Sequence, residues 1–159
     1  MLTKSQQLLY KILETLGKVE DKTKLAKLQY LSDFIHFAFP DSFISGKDVI
    51  YTKQKQGPLA NTLTNDLETL KDKKFVEENP SYNYKIKKET QLELTPEEIK
   101  TIEYVCDKYG KLNWRDLVSI SHEQEPYLSA LESGVIESFT AYNLIDDHEQ
   151  EYNAIPCRS

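Results

Sequence analysis

The sequence predicts a mainly α-helical fold with a small β element, an α+β domain of six to seven helices, one short strand and one β-hairpin. Apolar residues recur at helical spacing over most of the chain, whereas two segments between residues 48 and 87 have the composition or period of strands. The N-terminal half follows the element order of a winged helix. A single domain is expected over residues 1–146, followed by an acidic, flexible tail over residues 147–159.

The first two helices are predicted from apolar stripes. One covers residues 5–16 and ends at Gly17. The other covers residues 23–39 and ends at Pro40, which cannot continue a helix. Aromatic residues widen the apolar stripe of the second helix, so we expect it at the centre of the core.

The middle of the chain is predicted to contain a strand, a helix and a hairpin. Residues 48–54 favour a short strand because they include a Val-Ile-Tyr run. The turn at residues 56–58 follows, and Pro58 is expected at the first position of a helix with leucines at helical spacing. Residues 75–87 predict a hairpin, because tyrosine and isoleucine alternate with polar residues in its second half.

The C-terminal half has the clearest helix start of the sequence. Residues 95–98, Thr-Pro-Glu-Glu, have the pattern of a capping box, and the helix that follows is expected to end at Gly110. Asn113 is predicted to cap a short helix. Two further short helices are expected near residues 127–131 and over residues 136–145.

Charge is distributed unevenly along the chain. The formal net charge is -6, but residues 1–90 carry 15 lysines against 12 acidic residues, whereas residues 91–159 carry 5 basic against 14 acidic residues. An acidic C-terminal half disfavours contact with nucleic acid and favours a basic protein surface. Solubility alone is the alternative explanation.

Composition predicts a protein of the cytoplasm. The sequence has no run of about 18 apolar residues, which a membrane-spanning helix would need, so no membrane partner is expected. Its N-terminal residues predict an amphipathic helix rather than an apolar signal segment. The two cysteines, Cys106 and Cys157, have no motif spacing and do not indicate a disulfide framework.

The segment from Ser121 to Tyr127 combines an imidazole, two carboxylates and a phenol, as a catalytic or metal site would. The sequence offers no nucleophile elbow, no glycine-rich phosphate loop and no second histidine or cysteine at ligand spacing. We therefore expect no catalytic residue, no metal and no cofactor. The structural interpretation is that His122 caps a helix end and Pro126 starts the next helix. A general base formed by His122 with Glu123 or Glu125 is the competing hypothesis.

DNA binding is a second alternative, because the element order of the N-terminal half resembles that of a winged helix. Lys85, Lys87 and Lys88 would lie on the wing. Asn61 and Asn65 could read bases from the third helix. Asp66 and Glu68 on the same helix would oppose phosphates.

Three segments, taken in order, resemble a known family. They are a Lys-Leu-x-Lys-Leu-x-Tyr-Leu-Ser-Asp stretch over residues 24–33, a Gln-Gly-Pro-Leu turn at residues 56–59, and Lys-Tyr-Gly at residues 108–110 followed by the Ser-His and Pro-Tyr pairs of residues 121–127. Together they are similar to the Panacea domain, the SocA-like antitoxin domain of phage-associated proteins. Within these segments, Gln29 stands where leucine is usual, Gln56 where an aromatic residue is common and Tyr127 where tryptophan is usual.

The resemblance implies a mostly helical protein-binding module without catalytic residues. Such domains belong to toxin–antitoxin systems and neutralise a cognate toxin by direct contact, and a AAA+ protease is a further partner where the domain delivers its toxin for degradation. We expect the toxin to be covered sterically by apolar anchors inside a polar rim. The predicted contact residues lie around the turn and the closing motif: Tyr51, Lys53, Gln56, Gly57, His122, Glu125 and Tyr127.

Overall fold

The computed structural model describes residues 1–156 and confirms a mainly helical fold with a small β element. Within that range the chain forms seven α-helices, one 3-10 helix and two separate two-stranded antiparallel sheets. In chain order these are α1 (Lys4–Leu16), α2 (Lys22–Ala38), β1 (Tyr51–Gln54), β2 (Gly57–Ala60), α3 (Leu63–Asp72), β3 (Val76–Glu78), β4 (Tyr84–Ile86), α4 (Pro96–Tyr109), α5 (Trp114–Glu123), α6 (Glu125–Leu128), the 3-10 helix (Ser138–Leu144) and α7 (Ile145–Asn153).

Helix α2 is the centre of the fold, as its wide apolar stripe predicts. Fourteen of its residues are buried, and it packs against α1, α4, α5, β2 and the 3-10 helix. Tyr30 and Phe34 lie in an aromatic cluster with Tyr51, at centroid distances of 4.8 to 6.1 Å. The first β element is therefore attached directly to the core helix.

The region after α2 differs from the prediction. Residues 57–60 form β2, which pairs with β1 so that Gln54 faces Gly57 and Tyr51 faces Ala60. Pro58 thus lies in a strand and does not start a helix, and α3 begins at Leu63. The leucine spacing that predicts a longer helix includes Leu59, which belongs to β2 and is partly exposed. Pairing with β1 overrides the local helical pattern here.

The second hairpin confirms the prediction from alternating residues. Strands β3 and β4 pair in register from Val76–Ile86 to Glu78–Tyr84. Val19, in the loop between α1 and α2, bonds the backbone of Tyr84 in both directions, so the hairpin is fixed to the helical core.

Two predicted helix starts are confirmed in detail. Thr95 accepts a hydrogen bond from the Glu98 amide while the Glu98 side chain accepts one from the Thr95 amide, a complete capping box. The Asn113 side chain accepts a hydrogen bond from the Asp116 amide and so caps α5.

Among the described residues, none of the helices has the length and apolarity needed to cross a membrane.

The tail predicted over residues 147–159 begins inside helix α7. Helix α7 extends to Asn153, and its residues His148 and Tyr152 are 2% and 4% exposed. The Tyr152 ring stacks on Phe39 at 4.3 Å between centroids. The sequence prediction counted the acidic residues but missed these two inward-facing side chains. Residues 157–159, including Cys157, lie outside the described part.

Candidate functional site

The three sequence segments that carry the family resemblance meet at one place. Helix α2 contributes Lys27, Tyr30 and Asp33, the β1–β2 hairpin contributes Tyr51 and residues 54–58, and the α5–α6 elbow contributes residues 121–127. We call this meeting point the motif junction. Its contacts show which of these residues hold the fold and which remain open to a partner.

Lys27 fixes the hairpin turn to α2. Its side chain is buried, and Nζ donates to the Pro58 carbonyl at 2.8 Å. Burial lowers the pKa of Lys27 to about 8. Gly57 lies directly over this contact with φ +103°, and a Cβ at that position would come within 2.7 Å of both Lys27 Cε and Ser121 Oγ. Glycine is required here by both backbone conformation and space.

Asp33 and Tyr51 form a buried polar pair between α2 and β1. The Tyr51 hydroxyl donates to Asp33 Oδ2, and the Ser45 amide donates to Asp33 Oδ1 at 2.9 Å. Burial of the carboxyl raises the pKa of Asp33 to about 6, although the hydrogen bonds from Tyr51 and Ser45 oppose that shift. Burial also raises the pKa of Tyr51 well above its usual value. The pair therefore holds the β1–β2 hairpin against α2.

The α5–α6 elbow is joined to the other two segments by two hydroxyl groups. The Tyr30 hydroxyl donates to Gln124 Oε1 at 2.7 Å, and the Tyr127 hydroxyl donates to the Gln54 carbonyl at 2.8 Å. The elbow turn itself is closed by the Gln124 amide, which donates to the Ser121 carbonyl at 3.2 Å. Pro126 lies in the first turn of α6, as predicted.

His122 is held by stacking and does not provide the side-chain cap that the sequence suggests. Its ring lies 4.4 Å from the Tyr127 ring with an interplanar angle of 15°, and Nε2 is buried without a hydrogen-bond partner among the described residues. Lys53 Nζ lies 4.5 Å from the centroid of the Tyr127 ring and 3.8 Å from Glu132. Imidazole, phenol ring and ammonium thus form a layered arrangement at the surface of the elbow.

The predicted contact residues fall into two groups. The Tyr51 side chain is 1% exposed, and Gly57 is buried beneath its neighbours, so neither is available to a partner in this fold. Tyr127 is mostly buried and Lys53 is partly covered. The exposed members are Gln56 and Glu125, with His122 half-buried beside them. Sequence reasoning could not separate exposed from buried members of this set.

Sequence reasoning missed Lys27, Asp33 and Ser121 as organising residues of the junction. All three lie in the family motifs, and for Lys27 and Asp33 the available signal was a charged residue within an otherwise apolar helix. Across residues 1–156, no three His, Cys, Asp or Glu side chains are grouped closely enough to hold a metal ion.

Gln29 on α2 provides a stability prediction. It is fully buried, and neither its Oε1 nor its Nε2 has a hydrogen-bond partner among residues 1–156. An unpaired buried amide costs about 1 to 3 kcal/mol. We expect Gln29→Leu to raise the free energy of unfolding by about 1 to 2 kcal/mol in urea titrations.

The matched control for this change is Gln124→Leu. Gln124 accepts the hydrogen bond of the buried Tyr30 hydroxyl, so the same chemical change should here lower the free energy of unfolding by about 1 to 2 kcal/mol. Two losses of similar size would contradict the assignment of Gln29 as an unpaired group.

The fold and the junction define a small, mainly helical domain in which one β-hairpin is fixed to the central helix α2 and a second to the loop between α1 and α2. The family model of the antitoxin SocA-like, Panacea domain matches residues 25–127. This match covers more than half of the chain and includes α2, both hairpins and the α5–α6 elbow. The chain therefore belongs to the SocA-like antitoxin family. In the comparisons with curated proteins and with solved structures, no significant match is found.

Proposed function

We propose that the protein is an antitoxin-type binding module that neutralises a cognate toxin protein by direct contact and without chemistry of its own. The family match over residues 25–127 carries this proposal. The junction geometry supports the proposal, because the buried side chains of the family motifs form hydrogen bonds with each other and with the backbone of neighbouring elements. Lys27, Asp33 and Ser121 each bond a neighbouring element or their own helix and line a packed interior.

A binding role also fits the segment that most resembles a reaction centre. His122 stacks on Tyr127, and its Nε2 is buried, so a general base at this nitrogen would lack access to substrate. Glu125 is exposed, and among residues 1–156 no imidazole bonds its carboxylate. The exposed surface of the elbow is thus better suited to contact another protein than to transfer protons.

Co-expression tests the proposal. The product of the neighbouring reading frame, induced alone, should stop growth, and co-expression of this chain should restore it. The two proteins should also co-purify as a complex of defined stoichiometry. If growth is not restored and no complex forms at micromolar concentrations, the proposal is wrong.

Delivery of the toxin to a AAA+ protease is a finer version of the same proposal. Growth rescue in a host that lacks its AAA+ proteases separates the two modes. Rescue that persists there indicates neutralisation by contact alone, whereas rescue that disappears indicates an adaptor.

Transcriptional regulation through DNA binding is the alternative function. Asp66 bonds Ser5 in the interior at 2.6 Å and does not oppose phosphates as the sequence suggests. Lys85, however, lies 3.3 Å from Glu77 on the hairpin, and the exposed positions of α3 include Glu68 and Asp72 beside Asn65. A salt-sensitive gel shift with the upstream DNA, weakened by Lys85→Ala with Lys87→Ala, would favour this alternative.

A further inference from the structure

The exposed apolar side chains of this protein are concentrated in one part of the sequence. Among residues 1–156, nine large apolar side chains are exposed, and five of them lie in residues 128–142. Their exposed fractions range from 44% to 83%: Leu128, Leu131, Val135, Phe139 and Tyr142. Single exposed apolar residues need no explanation, whereas a contiguous apolar patch marks an interaction surface. Of these five, Val135 lines a groove and Tyr142 contacts its Phe37 wall.

The segment that carries this cluster is held in place by backbone hydrogen bonds. The Lys53 amide donates to the Gly134 carbonyl, the Ser133 amide donates to the Lys53 carbonyl, and the Ile136 amide donates to the Tyr51 carbonyl, at 2.8 to 3.0 Å. Residues 133–136 therefore extend the β1–β2 hairpin along the free edge of β1. A surface fixed in this way loses little conformational entropy on binding.

An apolar groove opens beside this edge. Its volume is about 530 Å³, and its walls include Phe37 and Phe43 from the α2 end and the loop after it, Ile50 before β1, and Val135. The Tyr142 ring lies 5.6 Å from Phe37 and extends this wall. Pockets of about 300 to 1,000 Å³ hold ligands of drug size, so the groove can seat large apolar side chains of a partner segment.

The charges around the groove define the chemistry of the partner. Asp41 and Glu137 line the groove, and Lys47 is the only basic residue among its lining side chains in the described part of the chain. The sequence contains no Lys or Arg between Arg115 and Arg158, so the segment that supplies Val135 and Glu137 brings no basic side chain to the groove. Nζ of Lys53, on β1, donates to the Ala130 carbonyl at 3.3 Å and lies 3.8 Å from Glu132. The lining therefore carries two carboxylates against one ammonium, and apolar anchors flanked by Lys or Arg complement this negative balance.

We propose that this groove is the docking site for a segment of the partner protein that presents large apolar side chains flanked by basic residues. The inference rests on the proposed function and names the contact surface for the toxin. It places that surface on the other edge of β1, beside the start of the 3-10 helix, where the groove adjoins the motif junction at Tyr51. Apolar anchors in the groove supply affinity, and the negative balance of its lining supplies orientation and rate of association.

Peptide binding tests the groove directly. Fluorescein-labelled peptides with Leu and Phe anchors and either Lys or Glu flanks are titrated with the full chain, and binding is followed by fluorescence polarisation. The Lys-flanked peptide should bind more tightly, and its affinity should fall as salt rises from about 0.1 M to about 1 M, where the Debye length shrinks from ~10 to ~3 Å. Equal binding of both peptides, or no binding, overturns the proposal.

Variants locate the binding surface. Val135→Asp with Ile50→Asp should weaken Lys-flanked peptide binding and partner binding by about tenfold or more, because both side chains are exposed and line the groove. Tyr82→Asp is the matched control: Tyr82 is 69% exposed on the other hairpin, and its φ of +64° suits aspartate. Unchanged circular dichroism and melting temperature confirm that each variant folds.

The outcomes separate this inference from the proposed function. If the double variant still neutralises the neighbouring gene product as well as the wild-type chain, the groove is not the toxin site, although the antitoxin role stands. If the wild-type chain neutralises nothing but binds the Lys-flanked peptide through Val135 and Ile50, the groove stands and the antitoxin role fails. A dimer of the chain that the same variant disrupts overturns the proposal, because a second copy then occupies the groove.

Discussion

Replacing Gly57 by alanine is expected to lower the free energy of unfolding by about 4 kcal/mol. The φ of +103° strains any residue with a Cβ by about 1 to 3 kcal/mol. The new methyl group would also approach Lys27 Cε and Ser121 Oγ to 2.7 Å. Both side chains are buried and bonded, so neither can move away freely, and overpacking of this kind costs about 1 to 3 kcal/mol.

Gly46→Ala is the matched control for Gly57→Ala. Gly46 has a similar φ of +92°, but nothing lies within 4 Å of a Cβ built there. Its substitution should therefore cost about 1 to 2 kcal/mol, from backbone strain alone. Chemical unfolding of both variants measures the difference, which isolates the contact between the hairpin turn, α2 and α5. Equal losses for the two variants would show that the junction is not packed as described.

Acidification is the second change with a large expected effect, because it reaches two buried histidines at the attachment of α7. His36 Nδ1 lies 2.8 Å from Thr101 Oγ1, which in turn lies 2.9 Å from the Tyr152 hydroxyl. His148 Nδ1 lies 2.8 Å from the Tyr104 hydroxyl. Burial lowers the pKa of His36 and of His148 from 6.5 to about 4, so both are neutral in the folded protein near neutral pH.

The sign of the pH effect follows from proton uptake in the two states. Between about pH 6.5 and pH 4, these histidines bind more protons in the unfolded chain than in the folded one. The free energy of unfolding therefore falls as pH falls, by up to about 3 kcal/mol for each histidine. The Glu98 carboxylate acts to raise the pKa of His36, and the Lys4 ammonium acts to lower it further. Asp147 and Glu151 act to raise the pKa of His148, and Lys108 acts to lower it further.

Asp33 acts in the opposite direction over a similar range. Its pKa is raised from 3.8 to about 6 in the folded protein, so the folded state binds more protons than the unfolded chain between these values. This group contributes up to about 3 kcal/mol of added stability as pH falls through 6 toward 4. The net expectation for the wild-type chain is a loss on the order of 3 kcal/mol between pH 7.5 and pH 4.5.

Urea unfolding of the wild-type chain and of the His36→Asn, His148→Asn double variant at both pH values checks this balance. Asparagine keeps a polar atom near the position of Nδ1 but does not titrate. The wild-type chain should lose stability on acidification, whereas the double variant, in which Asp33 remains, should gain it. Parallel pH profiles for the two proteins would contradict the role of the histidines.

Much of the fold could be predicted from local sequence patterns. Periodic leucines placed α1 and α2, the Thr-Pro-Glu-Glu pattern placed the start of α4, and tyrosine alternation placed the β3–β4 hairpin. These elements are determined by capping and by amphipathic spacing, both of which operate within a few residues. The family motifs, in order, were also sufficient to predict the SocA-like domain.

The β1–β2 hairpin and the attachment of α7 could not be predicted in this way. Residues 57–60 have a helical leucine pattern with Leu63, yet they form a strand because β1 offers backbone pairing and Lys27 binds the Pro58 carbonyl. The segment after Asp146 is acidic, yet His148 and Tyr152 bury it against α4 and Phe39. In both cases contacts between residues far apart in sequence outweigh local preference.

The sequence by itself determined the family, most helix boundaries and the uneven charge. Only the tertiary structure decided which motif residues are exposed, because burial depends on partners that lie 18 to 94 residues away, such as Asp33 for Tyr51 and Gln124 for Tyr30. The structure also brought the groove walls together from α2, the loop before β1 and the segment after α6. The positions of the charged residues can be read from the sequence, whereas the apolar groove forms only when segments far apart in sequence pack together.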